Sequence, residues 1–245
     1  MTIYAVGDIH GQLDMLKAAH ERIETDRVTS GAADAPVVFI GDYNDRGPDS
    51  PGVLDWLIQQ MNDGAPFVPI AGNHDRMLLG FVDPDFELDP KTAQFDWLAD
   101  NLGGRITLQS YGVDIKPWHR RKTIVEMAQD AIPDEHLDFL RSLPLTHAHS
   151  GAFFTHAGIN PDRALDDQLT EDLFWIRQPF LDSQKDHGAL IVHGHTPVRA
   201  VEHAGNRLNI DVGAGFGRRL AAVVIEDDLV FELTEDGRAP IKHRG

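Results

Sequence analysis

The sequence predicts an α/β architecture whose central strands end in polar loops, with a helical insertion in the middle of the chain. Short apolar runs at Ile3–Val6, Val37–Ile40 and Phe67–Ile70 each lead into a glycine-bounded polar loop, GDIHG, GDYNDRG and GNHD. A stretch with helical spacing of apolar residues follows each run, and this repeat of strand, loop and helix is the pattern of a parallel sheet core. Between residues 82 and 143 the strand signal fades while Asp and Pro recur, which predicts an inserted helical cap over 82–143.

In chain order, Leu13, Leu16, Ala19, His20 and Ile23 give an amphipathic helix over Leu13–Glu24. Ser30–Pro36 reads as a small-residue turn into the central strand. Pro48-Asp49-Ser50-Pro51 is a helix-start signal, Val53, Leu54, Leu57, Ile58 and Met61 form the apolar stripe behind it, and Asn62-Asp63-Gly64 ends that helix. Arg76–Phe81 opens another helix, and the cap carries helical stretches near Thr92–Asn101, Thr123–Asp130 and Asp134–Ser142. Strands return at Ala152–Thr155 and Ala189–Val192, ending in His156-Ala157-Gly158 and His193-Gly194-His195-Thr196-Pro197. His147 and His149 read as loop residues, Arg207–Val212, Arg219–Glu226 and Leu229–Leu233 as a strand meander, and Arg238–Gly245 as a loose tail.

The length of 245 residues suits a single α/β domain, 1–245. A formal charge of −17 argues against a nucleic acid polymer or an anionic membrane as partner, because both require a basic face. The absence of Cys excludes disulfides and thiolate metal sites, so a metal would have to be held by oxygen and imidazole. The N-terminus lacks a basic region followed by a long apolar stretch, no run approaches the ~18 apolar residues of a membrane span, and a cytoplasmic location is expected.

Five loops that follow short strands supply Asp8, His10, Asp42, Asn73, His156 and His195. That donor set suits two divalent ions of the Mn, Fe or Zn type, with Mn the first choice; Mg alone rarely recruits so many imidazoles. Two ions about 3.5–4 Å apart need a bridging carboxylate, and Asp42, in the middle loop, is the candidate.

GDIHG, GDYNDRG, GNHD, HAG and GHTP, in this order and each after a strand, resemble the PPP branch of the metallophosphoesterase superfamily, and the likeness covers nearly the whole chain. Within it the chain looks most like the compact bacterial and phage serine/threonine-type phosphatases, through its FWIR segment and the IDVGAGFG stretch after GHTP. The resemblance implies a four-layer sandwich, two mixed β-sheets flanked by helices. It implies that Asp8 and His10 hold the first metal, Asp42 bridges, and Asn73, His156 and His195 hold the second. It makes His74 the general acid, Asp45 the residue that orients it, and Arg46 and Arg177 the phosphate clamps. The implied reaction is hydrolysis of phosphoserine or phosphothreonine by direct attack of a hydroxide shared by the metals, without a covalent phosphoenzyme.

Two positions depart from the pattern. Asn44 stands where an apolar residue is usual, which predicts altered packing or solvent contact for its loop. Asp75 replaces a common Glu, and the GNHD spelling is shared with bacterial diadenosine tetraphosphate hydrolases. The alternative substrate is therefore diadenosine tetraphosphate or another small phosphate ester, with the basic cluster His119-Arg120-Arg121-Lys122 of the cap as a possible anion contact. His193 reads as a buried neighbour of the ligands, and Tyr43 and Trp175 as packing residues.

Overall fold

The computed structural model describes residues 2–243. Strands β1 (Thr2–Val6), β2 (Val37–Phe39) and β3 (Phe67–Pro69) alternate with helices α1 (Leu13–Ser30), α2 (Ser50–Asn62) and α3 (Asn73–Val82). Helices α4 (Gly104–Ser110), α5 (Arg121–Ala131) and α6 (Asp134–Ser142) follow. Then come β4 (Thr146–His149), β5 (Ala152–Thr155), α7 (Thr170–Trp175), β6 (Leu190–His193), β7 (Glu202–His203), β8 (Arg207–Asn209), β9 (Ala222–Glu226), β10 (Leu229–Thr234) and β11 (Gly237–Pro240).

The strands form two mixed sheets, ordered β11-β10-β9-β1-β2-β3 and β4-β5-β6-β8-β7. In the first, β1, β2 and β3 run parallel while β9, β10 and β11 extend it antiparallel. In the second, β5, β6 and β8 are parallel, with β4 and β7 antiparallel at the edges. Alternation along the buried strands builds the layers. Ile3, Ala5, Val38 and Ile40 face Phe154, Val192 and Leu208 between the sheets. Tyr4, Val6, Val37 and Phe39 meet Leu16, Ile23, Leu54 and Leu57 of α1 and α2 on the other side. Phe153 and Ile191 pack beneath Leu173 and Phe180 on the outer face of the second sheet. Each fully buried side chain of this size contributes about 2–3 kcal/mol, so the sandwich is a rigid platform for the loops at its edge.

Five expectations need correction. Helix α1 runs six residues past Glu24, because its last turns bury Asp26 and Arg27 through ion pairs and not through apolar spacing. Thr92–Asn101 is not a helix: only Thr92–Gln94 makes a 3₁₀ turn, and Phe95 is extended (φ −95°, ψ 137°). The meander is split, since β8 joins the second sheet while β9 and β10 return to the first. His147 and His149 lie in edge strand β4, and Arg238–Pro240 of the expected tail pairs with β10; Arg244 and Gly245 lie outside the described residues. Among the described residues no helix is long and apolar enough to cross a membrane.

Arg238 fastens this last strand by donating to both oxygens of Asp26 (2.7 and 2.9 Å) and to Glu226 (2.7 Å), while the Tyr4 hydroxyl donates to Asp26 at 2.8 Å. Burial opposes ionisation of Asp26, but the Arg238 and Tyr4 hydrogen bonds outweigh it and hold its pKa below the usual 3.8. A depressed carboxyl stabilises the fold above its unfolded pKa and loses that contribution as pH falls through the folded value. Asp26→Asn is expected to cost about 1–2 kcal/mol at neutral pH. Urea midpoints taken at neutral and acid pH should show the gap to wild type narrowing below pH 3.8.

Candidate metal centre

The carboxyl ends of β1, β2 and β3 and the loops after β5 and β6 meet at one edge of the sandwich, and their backbone is shaped for it. Seven non-glycine residues among those described have positive φ, and His10, Asp42, Asp45, Arg46 and His195 are five of them. Such conformations are rare outside glycine and concentrate at functional sites. Gly72 and Gly194 allow close approaches to the carboxylates: a Cβ would lie 2.2 Å from Asp42 Oδ1 at the first and 2.1 Å from Asp8 Oδ1 at the second.

Asp42 is the hub. Its carbonyl accepts from the His10 amide (2.7 Å), its amide donates to Asp75 (2.9 Å), and its Oδ1 accepts from the His74 amide (3.0 Å). Its carboxylate lies 3.4 Å from His10 Nε2 and 3.5 Å from His156 Nε2, so it stands between two donor groups. His10, Asp42 and His74 form one cluster able to hold an ion; Asp8, Asp42 and His156 form the other. Asn73 Oδ1 lies 2.7 Å from His156 Nε2 and 2.9 Å from His195 Nδ1, and the His195 amide donates to Asp8 (3.1 Å). All six expected ligands are therefore gathered at one point.

The chemistry of this set fits a pair of cations. His10 Nδ1 lies 2.9 Å from the Asn44 carbonyl and His156 Nδ1 lies 2.8 Å from that of Ile40. A carbonyl only accepts, so both Nδ1 atoms carry the proton and both Nε2 lone pairs face carboxylate or amide oxygen. Electron-rich atoms turned toward one another need a cation between them. Burial holds His10, His156 and His195 below the usual imidazole pKa, which keeps them neutral and ready to ligate. Burial, with Asp211 and Asp42 nearby, pushes Asp8 well above the carboxylate range, and burial raises Asp211 to about 6. For Asp42 burial acts in the same sense, but His156, His74 and His10 hold it low. A divalent cation would ionise the whole group.

Beside this centre His74 Nδ1 donates to Asp45 Oδ2 at 2.6 Å. Asp45 also accepts from Trp97 Nε1 (2.8 Å, Oδ2) and from the Thr107 hydroxyl (2.6 Å, Oδ1). Arg46 reaches His10 Nε2 (2.5 Å) and His74 Nε2 (3.0 Å), and its guanidinium lies 4.8 Å over the exposed Phe216 ring. Arg46, His74 and Arg177 share a cleft of about 390 Å³ with Lys91, Phe95, Trp175 and Phe216. Phe95 stacks on Trp175 with centroids 4.3 Å apart and planes 9° from parallel.

Asn44 does not meet solvent: it is fully buried, and its side-chain amide donates to the His74 carbonyl at 3.3 Å. Asp75 is committed to backbone, accepting from the amides of Gly72, Asp42 and Tyr43 at 2.8–2.9 Å, so it ties two loops together and has no oxygen left for substrate. Tyr43 is buried with its hydroxyl on the Ile70 carbonyl (2.8 Å), and His193 is buried, its pKa lowered by burial to about 3. The basic cluster lies away from the cleft: Arg121 pairs with Asp96 and Lys122 with Glu126. Lys91 is the cation that this region does bring to the cleft. Sequence reasoning missed Trp97, Thr107, Asp211 and Phe95. Only Asp211 had a signal, a strand running into GAGFG.

The calcineurin-like phosphoesterase family profile matches residues 1–225. A bis(5'-nucleosyl)-tetraphosphatase PrpE (asymmetrical) of Oceanobacillus iheyensis is 27% identical over 235 residues, 91% of this chain and 88% of its own length. A symmetrical bis(5'-nucleosyl)-tetraphosphatase of Nitrosospira multiformis is 24% identical over 86% of this chain and 66% of its own. A solved structure provisionally named a diadenosine tetraphosphatase has a TM-score of 0.67 at 21% identity, covering 98% of this chain and 93% of that one. The chain belongs to the calcineurin-like phosphoesterase family, the metal-dependent hydrolases of phosphoester bonds.

Proposed function

We propose that this protein hydrolyses dinucleoside polyphosphates, of the diadenosine tetraphosphate type, at a dinuclear centre. The observation that carries the reading is the Phe95–Trp175 stack on the wall of the cleft, beside Lys91 and within reach of Arg46 and Arg177. Phe95 keeps 37% of its surface exposed, an aromatic platform for a nucleobase next to cations for a phosphate chain. The names of the relatives from Oceanobacillus iheyensis and Nitrosospira multiformis support it. In this reading residues 1–245 are one domain with 82–143 as its cap. Membership of the PPP branch rests on GDIHG, GDYNDRG, GNHD, HAG and GHTP in that order, and Mn is the favoured metal.

Asp8, His10 and Asp42 would hold one ion and Asp42, Asn73, His156 and His195 the other. Bound there, the pair lowers the pKa of the attacking water and offsets phosphoryl charge. Arg46 and Arg177 present planar forks to the non-bridging oxygens, which fixes phosphorus in line with the water. With Arg46 turned from His74 Nε2 to the phosphate, that nitrogen is free to carry a proton, and as the new P–O bond forms and the old one breaks His74 gives it to the departing phosphate oxygen. Asp45, on the far side of the ring, holds the imidazole in that orientation.

Three outcomes are expected. Mn-loaded protein should cleave diadenosine tetraphosphate faster than a phosphoserine peptide, with chromatography of the products separating two ADP from ATP and AMP. The reverse preference would return the site to the phosphoprotein reading. Phe95→Ala should raise KM for the dinucleotide about tenfold, from the loss of one base stack, and change the peptide rate far less. Asp42→Asn should abolish turnover and lower metal content by elemental analysis. Added Mn should raise the wild-type melting temperature, a stabilisation of about 2.7 kcal/mol at a hundredfold excess over Kd, but not that of the variant.

A further inference from the structure

Asp45 lies fully buried behind His74, with partners on both carboxylate oxygens. Its Oδ1 accepts from the Thr107 hydroxyl at 2.6 Å, and its Oδ2 from both Trp97 Nε1 (2.8 Å) and His74 Nδ1 (2.6 Å). Its own amide donates back to Thr107 Oγ1 at 2.9 Å. The four side chains are nearly closed to solvent: Asp45 and Thr107 at 0%, Trp97 at 2% and His74 at 3% exposure. Asp45 belongs to the loop after β2, whereas Trp97 and Thr107 come from the helical region between β3 and β4.

A carboxylate held only by His74 could turn about its Cβ–Cγ bond, and the imidazole would turn with it. Donors on both oxygens, arriving from two further elements, remove that freedom. We propose that Trp97 and Thr107 are positioning residues for the proton donor, fixing the plane of Asp45 and through it the aim of His74 Nε2 at the departing oxygen. This inference rests on His74 being the general acid. Aim matters because proton transfer falls steeply once donor and acceptor leave hydrogen-bond reach.

The same stretch of chain also meets the substrate. Lys91, Phe95, Asn101 and Leu102 line the cleft. Gly103 (φ +98°) passes so close to Arg46 that a Cβ would lie 2.5 Å from its amide. The segment 91–107 thus touches the leaving-group side of the cleft, the clamp and the support of the acid. Its sequence therefore sets both which leaving group is accepted and how well that group is protonated.

The test uses Mn-loaded protein and two esters: phenyl phosphate, whose leaving group needs a proton, and 2,4-dinitrophenyl phosphate, whose leaving group departs without one. Trp97→Phe keeps an aromatic side chain but removes the N–H together with the five-membered ring; Thr107→Val keeps the shape and removes the hydroxyl; Thr107→Ser restores it. Trp97→Phe and Thr107→Val are expected to lose about tenfold in kcat on phenyl phosphate, the worth of one hydrogen bond to a charged group. On the dinitrophenyl ester they should lose less than twofold, with metal content unchanged, and Thr107→Ser should match wild type on both. Equal losses on the two esters, or failure of Thr107→Ser to restore the rate, would reduce both residues to a packing role and overturn the proposal. His74→Asn separates the two levels: if it too loses equally on both esters, the reading of His74 as the acid fails; if it is selective while Trp97→Phe and Thr107→Val are not, only the positioning role fails.

Discussion

Everything at the edge of this sandwich answers to one constraint: buried acceptors, among them the Asp42 and Asp8 carboxylates, the Asn73 amide oxygen and the Nε2 atoms of His10 and His156, are turned toward each other. Left to themselves they repel, and burial without a cation raises the cost. The backbone holds them nonetheless. Asp42 is tied through its carbonyl, amide and carboxylate to the first and third loops, and Asp75 closes the second loop onto the third with three backbone hydrogen bonds. The left-handed residues His10, Asp42, Asp45, Arg46 and His195 add roughly 1–2 kcal/mol each in conformational cost. Such an arrangement persists because the apolar layers on both faces of each sheet over-determine where the loops emerge.

The two sheets contribute unequally, which explains why both are needed. Loops of the first sheet bring Asp8, His10, Asp42 and Asn73; loops of the second bring His156 and His195. Among the bonds that join them are His156 Nδ1 donating to the Ile40 carbonyl at the end of β2 and the His195 amide donating to Asp8. Both bonds also set chemistry. The first fixes the tautomer that leaves Nε2 free to ligate, and the second lowers the cost of a charge on a carboxylate that burial and Asp211 otherwise suppress. Packing between the sheets and readiness for a metal are in this sense the same interaction.

The candidate centre was legible from sequence because each expected ligand follows a short apolar run that ends in a glycine-bounded loop. What surrounds the centre was not. Trp97 lies in a stretch whose apolar spacing suggested a helix, but the turn that Asp89 caps through the Thr92 amide and hydroxyl ends at Gln94, and the extended Phe95 stacks on Trp175. No periodicity encodes that. Thr107 looks like any polar residue of a short helix, and its role is visible only once Asp45, 62 positions earlier, lies against it. The basic run at His119–Lys122 misled in the opposite way: charge density in sequence suggested an anion contact, yet none of the four lines the cleft, and Arg121 and Lys122 pair with acids on their own surface.

This division of labour bears on why substrate class is harder to read than chemistry. The candidate ligands are held by backbone and by the sandwich core. Under the proposed function, discrimination would fall to the segment 91–107, where the contacts are side chain to side chain: Phe95 on Trp175, Lys91 at the cleft, Trp97 and Thr107 on Asp45. A single substitution there changes a platform or a hydrogen bond without disturbing Asp42 or its ligands. If the same residues both recognise the leaving group and aim the acid, a change in substrate cannot be made independently of a change in rate. The chain is similar to tetraphosphatases named both symmetrical and asymmetrical, as the proposal would expect of a common centre whose outcome the wall of the cleft decides.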